Sequence, residues 1–151
     1  MSETYQVKVL PVQLTVTIRT RSTVQDLPHT IGEAYHAIIA YLNELGEQPT
    51  GTPFVIYYNL DMDALDVEIG FPVLKPISDK GRIRSSHIAA GRYATTIHTG
   101  PYTEMEPVYD GLTNWMQKLG YEAAGPAIEY YRNDPNEVGM NNAQTEIRLP
   151  L

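Results

Sequence analysis

Two helical stripes of identical spacing recur at a fixed distance along the chain, and this limits the fold more than any other feature. In the first, Ile31, Tyr35, Ile38, Leu42 and Leu45 step by four, three, four and three; in the second, Met105, Tyr109, Leu112, Met116 and Leu119 repeat those steps 74 positions later. Residues so spaced share one face of a helix. Each stripe runs to a glycine, Gly46 or Gly120, suited to a left-handed C-cap, and opens near a Thr-x-x-Glu capping box, Thr30 to Glu33 and Thr103 to Glu106. The offset of 74 persists downstream, setting Gly51 with Gly125, Phe54 with Ile128, Tyr57 with Tyr131 and Asn59 with Asn133. "PFVIYYN" thus answers "AIEYYRN". After a turn about four residues longer in the second copy, "DVEIGFP" (Asp66 to Pro72) answers "QTEIRLP" (Gln144 to Pro150) at an offset of 78, and upstream "QLTVTIR" (Gln13 to Arg19) resembles "RYATTIH" (Arg92 to His98) at 79. Chance agreement of two amphipathic helices is the competing explanation. The matching Gly, Tyr-containing strand and Asn favour duplication. Each half then reads strand, helix, strand, strand, over about 5–73 and 83–151 of one domain spanning 1–151, with "LKPISDKGRIRSS" (Leu74 to Ser86) as the linker.

The composition suits a single soluble domain: 151 residues, 42% hydrophobic and 19% charged. No stretch approaches the roughly 18 consecutive apolar residues that span a bilayer, and no basic segment with an apolar run opens the chain, so a cytoplasmic protein with no membrane partner is expected. With no Cys, and with His29, His36, His87 and His98 far apart, neither a disulfide framework nor a metal site is expected. A net charge of −7 opposes direct nucleic-acid binding, which rests on Lys and Arg neutralising phosphate.

One helix per half cannot cover both faces of its sheet, so the remaining faces must meet each other or a ligand. Alternation along the strands places Ile128 and Tyr130 with Thr145 and Ile147 on the helix side, and Glu129 and Tyr131 with Glu146 on a groove side. In the first half, Phe54, Ile56 and Tyr58 with Val67 and Ile69 fall on the helix side; Val55, Tyr57, Asp66 and Glu68 fall on the groove side. Glu129 therefore stands where the other copy has Val55. A carboxylate at a site that accepts Val costs several kcal/mol, roughly, unless it is paired or neutralised. A salt bridge to Arg132 or Arg92, or plain exposure on an open sheet, is the alternative to a ligand role. Eleven Tyr and one Trp against two Phe favour a wet, amphipathic pocket, where an organic cation over a ring gains roughly 0.5–2 kcal/mol. Trp115 flanks the second stripe, as a core-edge residue or a pocket wall, and Tyr102 beside Pro101 is a turn residue or lies at the mouth. Glu68 and Glu146 occur in both copies, as scaffold or site, while Tyr35 and Tyr109 read as packing.

The segments "HTGPYTEM", "LTNWMQKLGY", "IEYYRNDP", "TEIRLPL" and "DVEIGFPV" resemble the GyrI-like small-molecule-binding domains, which also serve as effector-binding modules of AraC-type and MerR-type multidrug regulators. The resemblance runs from about Tyr5 to the end. It implies an α+β fold, a duplicated strand-helix-strand-strand module forming a concave antiparallel sheet with two helices packed outside and a central ligand groove. It also implies that Glu129 matches the family's ligand-contacting glutamate and that Trp115 matches its Trp. Only a few residues lie before the first strand, so a stand-alone form, without the helix-turn-helix that precedes this module in the regulators, is expected. Three functions follow as expectations: binding of lipophilic or cationic drug- or toxin-like molecules by Glu129, Tyr131, Trp115, Tyr57, Tyr102, Glu68 and Glu146; hydrolysis of cyclopropane-containing genotoxic compounds, with Glu129 activating water beside Tyr131; or interaction with DNA gyrase or a separate regulator. No cofactor is expected; haem, known in a distant structural relative, has only His98 as a candidate ligand.

Overall fold

Hydrogen-bonded ladders organise the strands. The computed structural model describes residues 4–151, the side chain of Pro135 excepted. Along the chain come β1 (Gln6–Leu10), β2 (Gln13–Ser22), α1 (Leu27–Glu44), β3 (Phe54–Tyr57), β4 (Leu65–Pro72), β5 (Ile83–Ile88), β6 (Gly91–Thr99), α2 (Met105–Lys118), β7 (Ala127–Tyr131), the short α3 (Pro135–Val138) and β8 (Gln144–Pro150). A 3-10 turn, Tyr102–Glu104, leads into α2. The fold is α+β, with antiparallel strand pairs throughout.

Two compact units result. The first unit, Pro11–Ala89, has strand order β3-β4-β2-β5 with α1 against β2 and β4. The second, Ala90–Leu151 together with β1, has strand order β1-β6-β8-β7 with α2 against β6. These units differ from the sequence halves at two strands. Part of the segment read as a linker is β5, which pairs with β2, and the N-terminal strand β1 pairs with β6. Short polar strands such as β5, "IRSSHI", carry no hydrophobic alternation that would reveal them.

Equivalent rows cross both sheets. Ile18, Ile69 and Val55 lie side by side in the first unit, and Thr96, Ile147 and Glu129 in the second. Ile18 thus corresponds to Thr96, which corrects the expected offset of the first strands from 79 to 78. In the second unit Val108, Leu112 and Met116 of α2 pack on Ala94, Ile147 and Leu149. In the first, Ile38 and Leu42 are fully buried, as are Val16, Val55, Val67 and Ile69, and the Tyr35 ring lies 4.9 Å from Phe71. Each such aliphatic side chain stabilises by roughly 1.5–3 kcal/mol.

The repeated punctuation has matching jobs. Gly46 (φ 68°) and Gly120 (φ 81°) end the two helices in left-handed conformation, and just beyond them Glu47 and Tyr121 donate backbone N–H groups to the Leu42 and Met116 carbonyls, each at 2.9 Å. Asn59 and Asn133 clamp the two hairpins: their side-chain oxygens accept the N–H of Asp66 (3.0 Å) and Gln144 (2.9 Å), and their amides donate to the Ala64 (3.1 Å) and Asn142 (3.2 Å) carbonyls. The capping boxes do not form. α1 starts at Leu27 with Pro28 in its first turn and no side-chain cap, and Thr30 Oγ1 lies 3.1 Å from Ser22 Oγ instead. α2 likewise has no side-chain cap, because Thr103 sits in the 3-10 turn. Leu45 and Leu119, past the helix ends, are exposed.

Among the described residues no helix is long and apolar enough to cross a membrane. No group of three or more His, Asp or Glu among them is placed to hold a metal ion.

Candidate functional site

Residues facing each other across an antiparallel ladder point to the same side of the sheet. Glu129 faces Ile147 and Tyr131 faces Thr145, whereas Tyr130 faces Glu146 and Ile128 faces Arg148. Glu129 and Tyr131 therefore look toward α2, along with the core residue Ile147. This corrects the expected division, which had set Glu129 beside Glu146 on the side away from the helix. The first unit needs the same correction: Val55 faces Ile69 and Tyr57 faces Val67 on the α1 side, while Ile56 faces Glu68 on the other.

The seam between α2 and β7 thus holds an acid. Its two oxygens each accept a phenol: Tyr109 donates to Oε2 at 2.5 Å, from one turn inside α2, and Tyr131 donates to Oε1 at 2.9 Å, from two positions along β7. Hydroxyl donors of this kind offset the desolvation of a partly buried carboxylate. The Tyr102 ring meets Tyr131 edge-on at 5.7 Å and 63°. Burial raises the Tyr102 phenol above its ordinary pKa, and the negative charges of Asp134 and Glu129 add to that shift. Next to this turn, His98 is 7% exposed and its Nε2 lies 3.1 Å from the Pro101 carbonyl oxygen. Gly100 (φ 142°) is required between them, since a Cβ there would stand 3.3 Å from both the His98 ring and the Glu104 carboxylate.

Tyr109 is the site residue that the sequence reading assigned to packing alone. The missed signal is its hydroxyl: a Tyr on a core stripe has a polar tip that must find a partner. Its counterpart Tyr35 packs on Phe71, and the counterpart of Glu129 is Val55, which has no exposed surface. At this one position the helix–sheet seam carries a valine in the first unit and a tyrosine-bound glutamate in the second.

The remaining candidates lie elsewhere. Trp115 stacks on Tyr5 (5.6 Å, 29°) at the edge of the α2 core, nearly two turns beyond Tyr109. Tyr57 belongs to the first unit. Glu146 faces away from α2 and is paired with Arg148 (2.7 Å), whose guanidinium lies 4.1 Å from the centre of the Tyr130 ring. Burial pushes the Tyr130 phenol up to about 12, against the opposing pull of Arg148. Glu68 is 8% exposed and accepts Tyr58 (2.5 Å) and Thr17 (2.8 Å). Arg92, one proposed partner for Glu129, lies over the Tyr121 ring at 5.3 Å.

Beside Glu68, Asp66 accepts Arg19 Nε at 3.0 Å and Nη2 at 2.9 Å, and Arg19 holds its carboxyl below the ordinary carboxylate pKa. A depressed folded-state pKa adds stability above the unfolded value, and this is lost as pH falls through the folded one. With Arg19 more than half exposed, Asp66→Asn should lower stability by at most about 1 kcal/mol at neutral pH. Near pH 2 it should make no difference, as urea midpoints at the two pH values would show.

In the second unit a helix lies on an antiparallel sheet with a tyrosine-held acid in the seam, and the sequence comparison places the chain in a family. Residues 3–151 match the GyrI-like small molecule binding domain, and the chain belongs to that family. No curated protein matches it significantly in sequence. Among solved structures it is similar to the C-terminal domain of EcmrR, with a TM-score of 0.83 and 23% identity over 99% of this chain and 98% of that one. Against EcmrR in a DNA complex the TM-score is 0.82 at 20% identity, with 98% of this chain covered but only 57% of EcmrR. A hydrolase from Listeria innocua gives a TM-score of 0.70 at 17% identity, covering 97% of this chain and 90% of that one. SAV2435 bound to tetraphenylphosphonium gives 0.68 at 16%, covering 97% and 93%. At these identities the likeness concerns the fold.

Proposed function

We propose that this domain binds lipophilic, amphipathic organic cations at the α2–β7 seam, to sense or sequester them in the cytoplasm. The observation that carries this reading is the replacement of buried Val55 by Glu129 at an otherwise equivalent position, with a tyrosine hydroxyl on each carboxylate oxygen. Tyr109 and Tyr131 are neutral donors, and a carboxylate set among tyrosine rings is chemistry suited to an organic cation. Because both oxygens already accept phenols, the best ligand is one whose charge needs no N–H donor, such as a quaternary or phosphonium centre carrying aromatic groups. Tyr102, 39% exposed, is the ring such a ligand displaces from the edge of Tyr131 or stacks upon. The tetraphenylphosphonium bound by SAV2435 is a ligand of this class. The two units are read as copies of one module, of which only the second carries the acid. A separately encoded regulator or DNA gyrase is the protein partner to test by capture.

Calorimetric titration with tetraphenylphosphonium tests the reading; no saturable heat would refute it. Tyr109→Phe and Tyr131→Phe each remove one donor while keeping the ring. Each should weaken binding by about 3- to 10-fold, the 0.5–1.5 kcal/mol typical of one hydrogen bond. Unchanged affinity in both would remove the phenols from the site.

The Listeria innocua hydrolase supports a second reading, in which Glu129 takes a proton from water as the oxygen attacks a strained cyclopropane carbon, and the broken C–C bond leaves as a stabilised carbanion that is then protonated. The product gains one water. Two phenols on the carboxylate weaken it as a base, so the geometry supports binding over turnover. Mass spectrometry of an incubated cyclopropyl-indoline substrate separates the two, since catalytic gain of one water demands hydrolysis.

A further inference from the structure

The first unit has a wide, solvent-open surface cavity of about 920 Å³ between α1 and the end of β2, most of whose lining residues are exposed. It is lined by no residue of the Glu129 seam. Its floor is apolar and built of small groups: Ile18 and Ala34 are 4% and 5% exposed, and Gly32 and Ala37 leave the helix surface low. An ideal Cβ on Gly32 would have nothing within 4 Å, so the space beside it is open. β5 stops opposite Ile18, and Thr20 beyond that point also lines the cavity.

Two arginines, Arg82 and Arg21, stand at its rim in an otherwise acidic protein. The carboxylate among the lining groups, Glu33, is engaged by His29 at 3.1 Å. Arg21 is drawn at 3.9 Å toward Asp66, which leaves Arg82 without an ion-pair partner among the described residues. An apolar floor with a cationic rim is complementary to an amphipathic anion, the opposite charge class from the Glu129 seam.

We propose that this cavity is a second binding site, for an aromatic or aliphatic organic anion whose body lies on Ile18, Gly32 and Ala37 and whose carboxylate or sulfonate meets Arg82. Gly32→Leu fills the space without a clash and replaces a poor helix former by a good one, so the fold is kept while the site is closed. Arg82→Glu reverses the rim charge at the surface. Fluorescence titration with anilinonaphthalene sulfonate should show saturable one-to-one binding by the wild-type chain, weakened by about tenfold or more in each variant, the loss expected when a charged contact is removed or reversed. Glu129→Gln should bind this probe as the wild type does, which separates the site from the cation seam. Absence of saturable binding by the wild type, or equal binding by Gly32→Leu and Arg82→Glu, overturns the proposal.

Discussion

Glu129→Gln should weaken tetraphenylphosphonium binding by about 30- to 1,000-fold, equivalent to roughly 2–4 kcal/mol, the range for removing one partner of a partly buried charge contact. The substitution changes almost nothing but charge. Glutamine keeps an acceptor for one tyrosine hydroxyl, so the fold should survive and the thermal midpoint of the free protein should stay near that of wild type. Glu129→Val tests the same point in a second way, because it installs the residue that the other unit carries at this position and should be tolerated by the core. If both variants bind the cation as wild type does, the seam is not the site. The expected loss is larger than for either phenol, since Tyr109 and Tyr131 only hold the acid at 2.5 and 2.9 Å while the acid supplies the field.

Gly70→Ala should be the most damaging single methyl in the first unit, lowering stability by about 3 kcal/mol. Gly70 lies in β4 between Thr17 of β2 and Phe54 of β3. An added Cβ would stand 2.2 Å from the Val16 carbonyl oxygen and 2.7 Å from Thr17 Cγ2. The first obstacle is backbone and cannot rotate away. The equivalent residue in the second unit is Arg148, so the requirement comes from the close approach of β2 to β4 and not from the ladder pattern as such. For a chain of this length the change corresponds to a fall in Tm of roughly 6–12 °C. Thermal melts followed by circular dichroism measure it directly, and a midpoint within experimental error of wild type would show that the strands separate to admit the methyl. Gly125→Ala offers a mild comparison, because its Cβ would meet only the Pro150 ring, at 3.2 Å.

Much of the architecture is visible in the chain itself, because it rests on local rules. Helix periodicity and the left-handed glycines after α1 and α2 are set by residues within a few positions of one another, and Asn59 and Asn133 each clamp the hairpin turn that they open. The singularity of the acid is visible too, since setting the two similar stretches side by side at an offset of 74 puts Glu129 opposite Val55 without reference to any fold. What the chain could not reveal is which side of the sheet that acid faces. In an antiparallel hairpin the side is decided by register, and register is decided by how the connecting turn closes; a shift of one residue moves every side chain to the opposite face. In both hairpins apolar residues, Phe54 and Ile56 in β3 and Ile128 and Tyr130 in β7, are buried on the side away from the helix, so hydrophobic alternation misassigned the face. That same tertiary choice converted Tyr109 from packing to partner, sent Glu146 to Arg148 on the far face, and paired β1 and β5 with strands distant from them in the chain. Local sequence determined the pieces and the unusual acid; only the long-range ladders, whose pairings no local propensity encodes, decided what the acid touches.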